Sequence, residues 1–535
     1  MSELLQDWVR AQADRRPDAP AVRLGDHRLT YGELERASNR LAHQLSAAGC
    51  EPGDRVGLLI PKSPAAVVAM LGVLKVGAIY VPLDTASPVA RLAKILEQCD
   101  DRWLLGAGDT GVLADLLAAA LPAPCARILR TGWLGGGAPP TVTPVMFGPE
   151  DLAVAPEGRV APRTSPRDPA HILFTSGSTG VPKGVVITHS NVWHFVRWAV
   201  EYFGIGPSDR NSGHSPLHFD LSTFDIFGSF AAGAELVMIP PELNLLPHRL
   251  ARLIREAELT QWFSVPSVLN YMAKFDAVKE GDFPSLRRLM WCGEVFPTPS
   301  LIHWMERLPH ARFTNLYGPT EATIASSYYT IPECPASEDE VIPIGRACGG
   351  EELLVLDEHR RAVPAGEQGN LYIGGAGLSP GYWRDRERTQ EVFTLRPRTA
   401  NPEDRIYRTG DLAVMGEDGL VRFCGRSDNQ VKSRGYRIEL GEIETALHAL
   451  GVLRECAVVA APGVAFDAVI CCAYVPLKGR RPAPSDMREA LSHVLPSYML
   501  PARWLELDAL PATSNGKIDR RSLKERFVHE EVAAR

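Results

Sequence analysis

The amino-acid sequence predicts a layered α/β protein in two parts. A large N-terminal domain of α/β subdomains with a small β-rich module takes residues 1–427, and a small α+β domain takes residues 428–535. Three observations predict it: strand-like and helix-like runs alternate through the first two-thirds, short β-like runs separated by turns follow past Glu351, and a segment with its own helices and strands begins near Asp428. At 535 residues the chain exceeds one ordinary core and fits about two to four domains.

In chain order, RVGLLI (Arg55 to Ile60) reads as a buried strand and PAAVVAMLGVLKVG as the helix after it; IYVPL and ASPVARLAKILEQC repeat the pair. Between Thr131 and Arg167 the Pro/Gly-rich stretches GGGAPPTVTP and PEGRVAPRTSPRDP predict a long irregular surface connection. Next comes FTSGSTGVPKG (Phe174 to Gly184), a hydroxyl-rich loop between the apolar runs HIL and VVI. Past Glu351, ELLVLD, NLYIGG and GLVRFCG read as strands. The last segment pairs the helical LGEIETALHAL and PSDMREALSHVL with the strand-like ECAVVAA and AVICCAYVPL.

Composition narrows the function classes. Apolar residues at 45% and charged residues at 23% leave no room for extensive disorder, and a net charge of -7 argues against a nucleic-acid binder, which needs a basic face. The ten cysteines include no CxxC pair, which points away from a zinc site or a disulfide framework and towards reduced thiols in a cytoplasmic compartment. The charged N-terminus lacks the apolar core of a signal peptide, and the apolar run AAVVAMLGVL from Ala65 stops at Lys75, so neither export nor a membrane span is expected.

A Gly-rich loop after a strand lets backbone N–H groups approach phosphates. Gly177 is followed after four residues by Pro182, Lys183 and Gly184, which does not match the Gly-Lys-Ser/Thr ending of the commonest phosphate loop, and GxGxxG is absent from it as well. Taken alone, the loop is either a phosphate cradle or a solvated turn.

The rest of the chain bears on that choice. LTYGEL (Leu29 to Leu34), LKVGAIYVPLD (Leu74 to Asp84), TSGSTGVPKG, FDLS (Phe219 to Ser222), NLYGPTE (Asn315 to Glu321) and YRTGDL (Tyr407 to Leu412) occur in that order. GRSDNQVKSRGYRIELGEIE (Gly425 to Glu444), LPSYMLP (Leu495 to Pro501) and NGKIDR (Asn515 to Arg520) follow. Together they resemble the motifs of the adenylate-forming superfamily: acyl-CoA synthetases, luciferases and the amino-acid-activating domains of nonribosomal peptide synthesis. Asn370 and Pro380 depart from the usual Glu and Arg, in the strand-rich module.

That resemblance implies ATP and Mg²⁺ as cofactors and a role for each matching residue. Thr175, Ser176, Gly177, Ser178, Thr179, Gly180 and Lys183 would hold the β- and γ-phosphates. Glu321 would bind Mg²⁺, Tyr317 would stack on adenine with Thr320 beside it, Asp411 would accept from the ribose hydroxyls, and Arg426 would approach the same nucleotide. Lys517 would bridge the substrate carboxylate and the α-phosphate, Asp428 would be the hinge about which the small domain turns, and Gly435 would lie beside an incoming phosphopantetheine arm.

HFDLSTFDIFGSF reads by itself as a helix capped by Asp220, with Leu221 and Phe224 on one face. In amino-acid-activating relatives that Asp pairs with the α-ammonium, since a buried cation needs a partner. Matching the motifs places Leu221, Phe224, Phe263, Met290, Cys292, Leu316, Ile324 and Ala325 around the substrate side chain. All are uncharged, which predicts a small or cyclic apolar amino acid; the set resembles stand-alone prolyl ligases that feed carrier proteins, with alanine or aminobutyrate next. Only fifteen residues follow Arg520 and no HHxxxDG motif occurs, so the expected acceptor is the phosphopantetheine thiol of a separate carrier protein. A D-alanine or acyl-CoA ligase of the same superfamily, and a non-catalytic adenylate-binding scaffold, remain as alternatives.

Overall fold

A computed structural model describes residues 3–533 apart from 101–102, 178–179, 398, 429, 463–467 and 513–517. The layered α/β expectation holds. An eight-stranded sheet runs in the order Gly381–Tyr382, Lys183–Thr188, Pro169–Thr175, Ile79–Pro82, Arg55–Leu59, Trp103–Gly106, Arg130–Trp133 and Val145–Phe147. From Pro169–Thr175 onward the neighbours are parallel, and these inner strands read as continuous apolar runs because helices cover both faces. The pairing of Pro169–Thr175 with Lys183–Thr188 is antiparallel, so the hydroxyl-rich loop is the tip of a hairpin set on the edge of a parallel block.

A nine-stranded sheet holds the other half of the large domain. Its parallel core includes Arg210–Gly213, Gln261–Ser264, Arg288–Cys292 and Arg312–Tyr317, and the antiparallel strands Ser327–Thr330 and Arg346–Ala347 follow at one edge. One apolar core joins the two sheets through the helices Tyr31–Ala47, Pro64–Val76, His189–Phe203 and Leu221–Ala232. Thr30 starts the first of these with a capping box to Glu33. Gly72 lets the second pack close, for a Cβ there would meet Leu41 at 2.7 Å. Between the same two helices Lys75 is buried with Nζ on Glu35 Oε2 at 2.7 Å, Ser38 Oγ at 2.8 Å and Asn39 Oδ1 at 2.7 Å. Burial lowers its pKa to about 8 against the opposing pull of Glu35.

The stretch from Thr131 to Arg167 is more regular than its Pro/Gly content predicts. It supplies the last two parallel strands of the sheet, Arg130–Trp133 and Val145–Phe147, and the short helix Pro149–Val154. Asp115, from a neighbouring helix, orders the turn between the strands by accepting the backbone N–H groups of Thr141, Val142 and Thr143. A distant carboxylate thus satisfies backbone donors that local sequence leaves open.

Past Glu351 the expected strands form a five-stranded antiparallel sheet centred on Gln368–Gly375 and Arg405–Met415. Beyond it lies the ribbon Gln430–Ser433 with Tyr436–Glu439. The strands Leu453–Pro462, Ala468–Pro476 and Arg503–Glu506 then form a three-stranded sheet. Helices Leu440–Ala449 and Pro484–Ser492 cover one face of that sheet, and Arg520–Ala533 the other.

Candidate active site

The hairpin tip is shaped by backbone. A Cβ on Gly177 would meet the Val181 carbonyl oxygen at 1.9 Å, and Gly180 adopts φ +78° while donating to the Gly177 carbonyl at 3.0 Å. Thr175 pairs with Lys183 across the hairpin, and its buried Oγ1 has no hydrogen-bond partner among the described residues. Ser176, Gly177 and Lys183 all have partners in the C-terminal ribbon and the helix after it. Ser176 Oγ donates to the Arg437 carbonyl at 2.6 Å, Gly177 N to Glu442 Oε2 at 3.2 Å, and Lys183 Nζ to Glu439 Oε1 at 3.2 Å. Ser178 and Thr179 lie outside the described residues.

Glu321 stands on the 3-10 turn Thr320–Ala322, just after the strand Arg312–Tyr317, and is 0% exposed. Its Oε1 accepts from the Tyr382 hydroxyl and its Oε2 from Arg437 Nη1, both at 2.7 Å. Burial pushes its pKa up, but the Arg437 and Lys183 cations and the Tyr382 hydroxyl outweigh it and hold the carboxyl at about 2. It is therefore an anion in a dry place, the donor type a hard cation takes. Among the described residues no group of three or more His, Cys, Asp or Glu could hold a metal. A Mg²⁺ ion binds through one or two carboxylates and substrate phosphates, and a buried anionic carboxylate is a donor of that kind, although Arg437 Nη1 takes Glu321 Oε2 in this structure.

Asp220 precedes the helix Leu221–Ala232 as expected, but its side chain does not cap it. With φ -64° and ψ -29° it is already helical, and Oδ2 instead accepts the Thr320 hydroxyl at 2.8 Å. Burial raises the carboxyl to about 6, opposed by that hydrogen bond. Asp220 lines a cavity of about 100 Å³ together with Thr175, Ser176 and Thr320.

The eight expected pocket residues all belong to one buried cluster. Leu221 and Cys292 line the cavity, whereas Phe224, Phe263, Met290, Leu316, Ile324 and Ala325 are absent from its lining. Phe224 meets Phe263 edge-on at 5.7 Å, and the Cys292 thiol donates to the Ile324 carbonyl at 3.8 Å. Adjacent parallel strands place Phe263 beside Met290 and Cys292 beside Leu316.

Tyr317 and Arg426 both donate to Asp411, one on each carboxylate oxygen. Arg426 also grips Asp428 with Nε and Nη2, each at 2.7 Å, just before the ribbon begins. Gly435, at the ribbon's turn, adopts φ +81° and donates its N–H to Glu294 Oε1 at 2.6 Å. A Cβ there would meet Val265 at 2.7 Å.

Among the cavity-lining residues that sequence reasoning missed are three from the ribbon, Lys432, Tyr436 and Arg437. Lys432 places Nζ 5.7 Å from the centre of the Tyr317 ring, and Tyr436 stacks on Tyr498 with ring centres 3.6 Å apart. Their only signal was membership of the motif around Gly435. Lys517 lies outside the described residues; beside it, Ile518 pairs with Ala512 and Arg520 Nη1 holds Glu444 at 2.7 Å.

Residues 9–383 match the AMP-binding enzyme family, and residues 442–517 match the AMP-binding enzyme C-terminal domain. The chain belongs to the AMP-binding enzyme family.

This AMP-binding enzyme spans less than half the length of the first curated relatives it matches. It is 36% identical over 507 residues to the L-proline–[L-prolyl-carrier protein] ligase of Streptomyces coelicolor, covering 94% of this chain and 92% of that one. It is also 33% identical over 523 residues to tyrocidine synthase 3 of Brevibacillus parabrevis, covering 98% of this chain but only 8% of that much longer protein. Among solved structures, the amide bond synthetase McbA from Marinactinospora thermotolerans superposes with a TM-score of 0.85 at 26% identity, over 97% of this chain and 99% of that one. Among the described residues no helix is long and apolar enough to cross a membrane.

Proposed function

We propose that this AMP-binding enzyme activates a small or cyclic apolar amino acid, L-proline first and alanine or aminobutyrate next, and passes it to the thiol of a separate carrier protein. The observation that carries the reading is Asp220. It is a buried carboxylate on the cavity wall beside the apolar Leu221 and Cys292; it accepts the neutral Thr320 hydroxyl, and Lys432 on the same wall acts on it without a hydrogen bond among the described residues. A buried anion so placed calls for a cation, and the α-ammonium of an amino acid supplies one. The likeness to a prolyl-carrier-protein ligase supports the proline choice.

In the first step an oxygen of the amino-acid carboxylate attacks the α-phosphorus of ATP, and the bond to the β-phosphate breaks to release pyrophosphate. Two anions must meet, so positioning and charge neutralisation dominate. Asp220 holds the ammonium end; Thr175, Ser176, Gly177 and Lys183 present donors to the departing phosphates, and the Thr175 hydroxyl, without a hydrogen-bond partner among the described residues, fits that task. Mg²⁺ at Glu321 supplies further positive charge when bound. Tyr317, Asp411 and Arg426 form the nucleotide cradle, and Lys517 is assigned the bridge between carboxylate and α-phosphate. In the second step a thiolate sulfur attacks the acyl carbon and the bond to AMP breaks, with Gly435 beside the incoming arm and Asp428 as the hinge between the two states.

The test is amino-acid-dependent exchange of pyrophosphate into ATP across a panel of acids, with Lys517→Ala as control. Exchange with proline, alanine or aminobutyrate that the control abolishes is the expected result. Exchange only with fatty or aryl acids would overturn the assignment of Asp220.

A further inference from the structure

Two adjacent residues beside the substrate cluster hold a backbone conformation that suits neither of them. Thr323 adopts φ +57° and Ile324 φ +71°, the left-handed region that β-branched side chains avoid, and both are buried. Such a conformation persists where surrounding contacts over-determine it. Four contacts meet here. The Thr323 N–H donates to the Thr320 carbonyl at 3.1 Å, and the Ala325 N–H to the Thr323 carbonyl at 2.9 Å. The Thr323 hydroxyl donates to the Gly377 carbonyl at 2.7 Å, and the Cys292 thiol to the Ile324 carbonyl at 3.8 Å. Two of these lead to the cavity, for Cys292 lines it and Thr320 donates its hydroxyl to Asp220.

Gly377 belongs to the strand-rich module, on the loop from Gly375 to Pro380, and that loop is pinned from three sides. Glu351 Oε1 accepts the Gly377 N–H at 2.7 Å, and a Cβ on Gly377 would meet that oxygen at 2.8 Å and the Ala322 carbonyl at 2.9 Å. Asn191 Nδ2 donates to the carbonyls of Ala376 at 2.9 Å and Leu378 at 3.1 Å. Arg405 donates to the carbonyls of Ser379 at 3.2 Å and Pro380 at 3.1 Å. The Gly377 carbonyl is therefore a fixed acceptor, set by three other elements of the fold.

We infer that Thr323 is a positioning residue for amino-acid selection: tied to the Gly375–Pro380 loop, it holds Ile324 in place and, through the Ile324 carbonyl, steadies Cys292 at the cavity wall. The inference rests on reading Asp220 and the cluster with Ile324 as the amino-acid site. It gives the strained turn a task. Without the tether the backbone is free to relax towards the ordinary region, and the wall moves with it.

The test measures, by pyrophosphate exchange with the full chain, KM for the amino acid and for ATP. It also compares kcat/KM for the preferred acid with that for its homologue one methylene larger. Thr323→Val keeps the branched shape and removes the donor. It is expected to raise KM for the amino acid and to cut the preference by about 10-fold, the scale of one methylene in an apolar pocket, with KM for ATP unmoved. Thr323→Ser, which keeps the hydroxyl, is expected to restore both values. Thr323→Gly also lacks the hydroxyl but accepts a positive φ without strain, so it gives the answer if Thr323→Val does not fold. An unchanged preference in a folded variant without the hydroxyl, or a KM for ATP that rises in step with that for the amino acid, overturns the inference and leaves the amino-acid reading standing. If no amino acid supports exchange in the unsubstituted protein, that reading falls and the inference with it.

Discussion

Thr320 donates its hydroxyl to Asp220 at 2.8 Å from the same turn that carries Glu321. One turn thus positions a carboxylate held at about 2 beside a hydroxyl that props a carboxylate raised to about 6. Electrostatic surroundings explain the split: Glu321 faces Arg437 and Lys183, whereas burial dominates at Asp220.

Asp220 is expected to cost the free protein stability. Its folded pKa, about 6, lies above the value of roughly 3.9 for an unfolded chain, so its charge opposes folding fully above pH 6 and not at all below pH ~4. Asp220→Asn should therefore raise the Tm at pH 7.5, by an equivalent on the order of 2 kcal/mol, with the gain fading as the pH falls from about 6 to about 4. The same variant should lose amino-acid-dependent pyrophosphate exchange. Thermal melts at three pH values read the first effect, and a Tm difference independent of pH would refute it.

Phe224 and Phe263 meet edge-on within the buried cluster that holds all eight residues proposed for the substrate side chain, although neither lines the cavity. Phe224→Leu removes volume there without adding a polar atom. Preference should shift towards larger apolar amino acids by about 10-fold or more, the scale at which apolar pockets discriminate. The ratio of kcat/KM for leucine over proline measures it, and an unchanged ratio would place Phe224 outside the pocket.

Gly435 combines φ +81° with close contact to Val265, so Gly435→Ala is strained twice over. Pyrophosphate exchange should persist while loading of a carrier thiol falls about 10- to 100-fold, since small displacements at a reacting centre carry penalties of that size. Equal losses in both assays would mean that Gly435 serves the fold rather than the transfer.

Lys75 tests the frame rather than the site. Lys75→Met would leave the Glu35 carboxylate, Ser38 and Asn39 without their shared buried cation. Removing one member of such a pair costs about 3–5 kcal/mol, so urea unfolding should show a loss of that order at pH 7. A loss under about 1 kcal/mol would mean that water replaces the ammonium.

The sequence by itself determined the α/β layering and the family, because strand–helix alternation and motif order are local properties of the chain. It also brought Asp220, Glu321, Asp411 and the 175–183 loop into view, since each stands within a short motif. Three things only the tertiary structure decided. Asp220 was legible as a helix-capping residue, but its carboxylate turns to Thr320, a hundred positions away in the chain. The Pro/Gly-rich stretch after Thr131 looked irregular, yet Asp115 supplies the acceptors that order it. Arg437, Glu439 and Glu442 stand in the motif around Gly435, but they become partners of Glu321, Lys183 and Gly177, in that order, only when the small domain packs on the large one. The physical reason is common to all three. Hydrogen bonds and buried ion pairs join groups far apart in the chain, and local composition shows which groups need partners but not which partners they find.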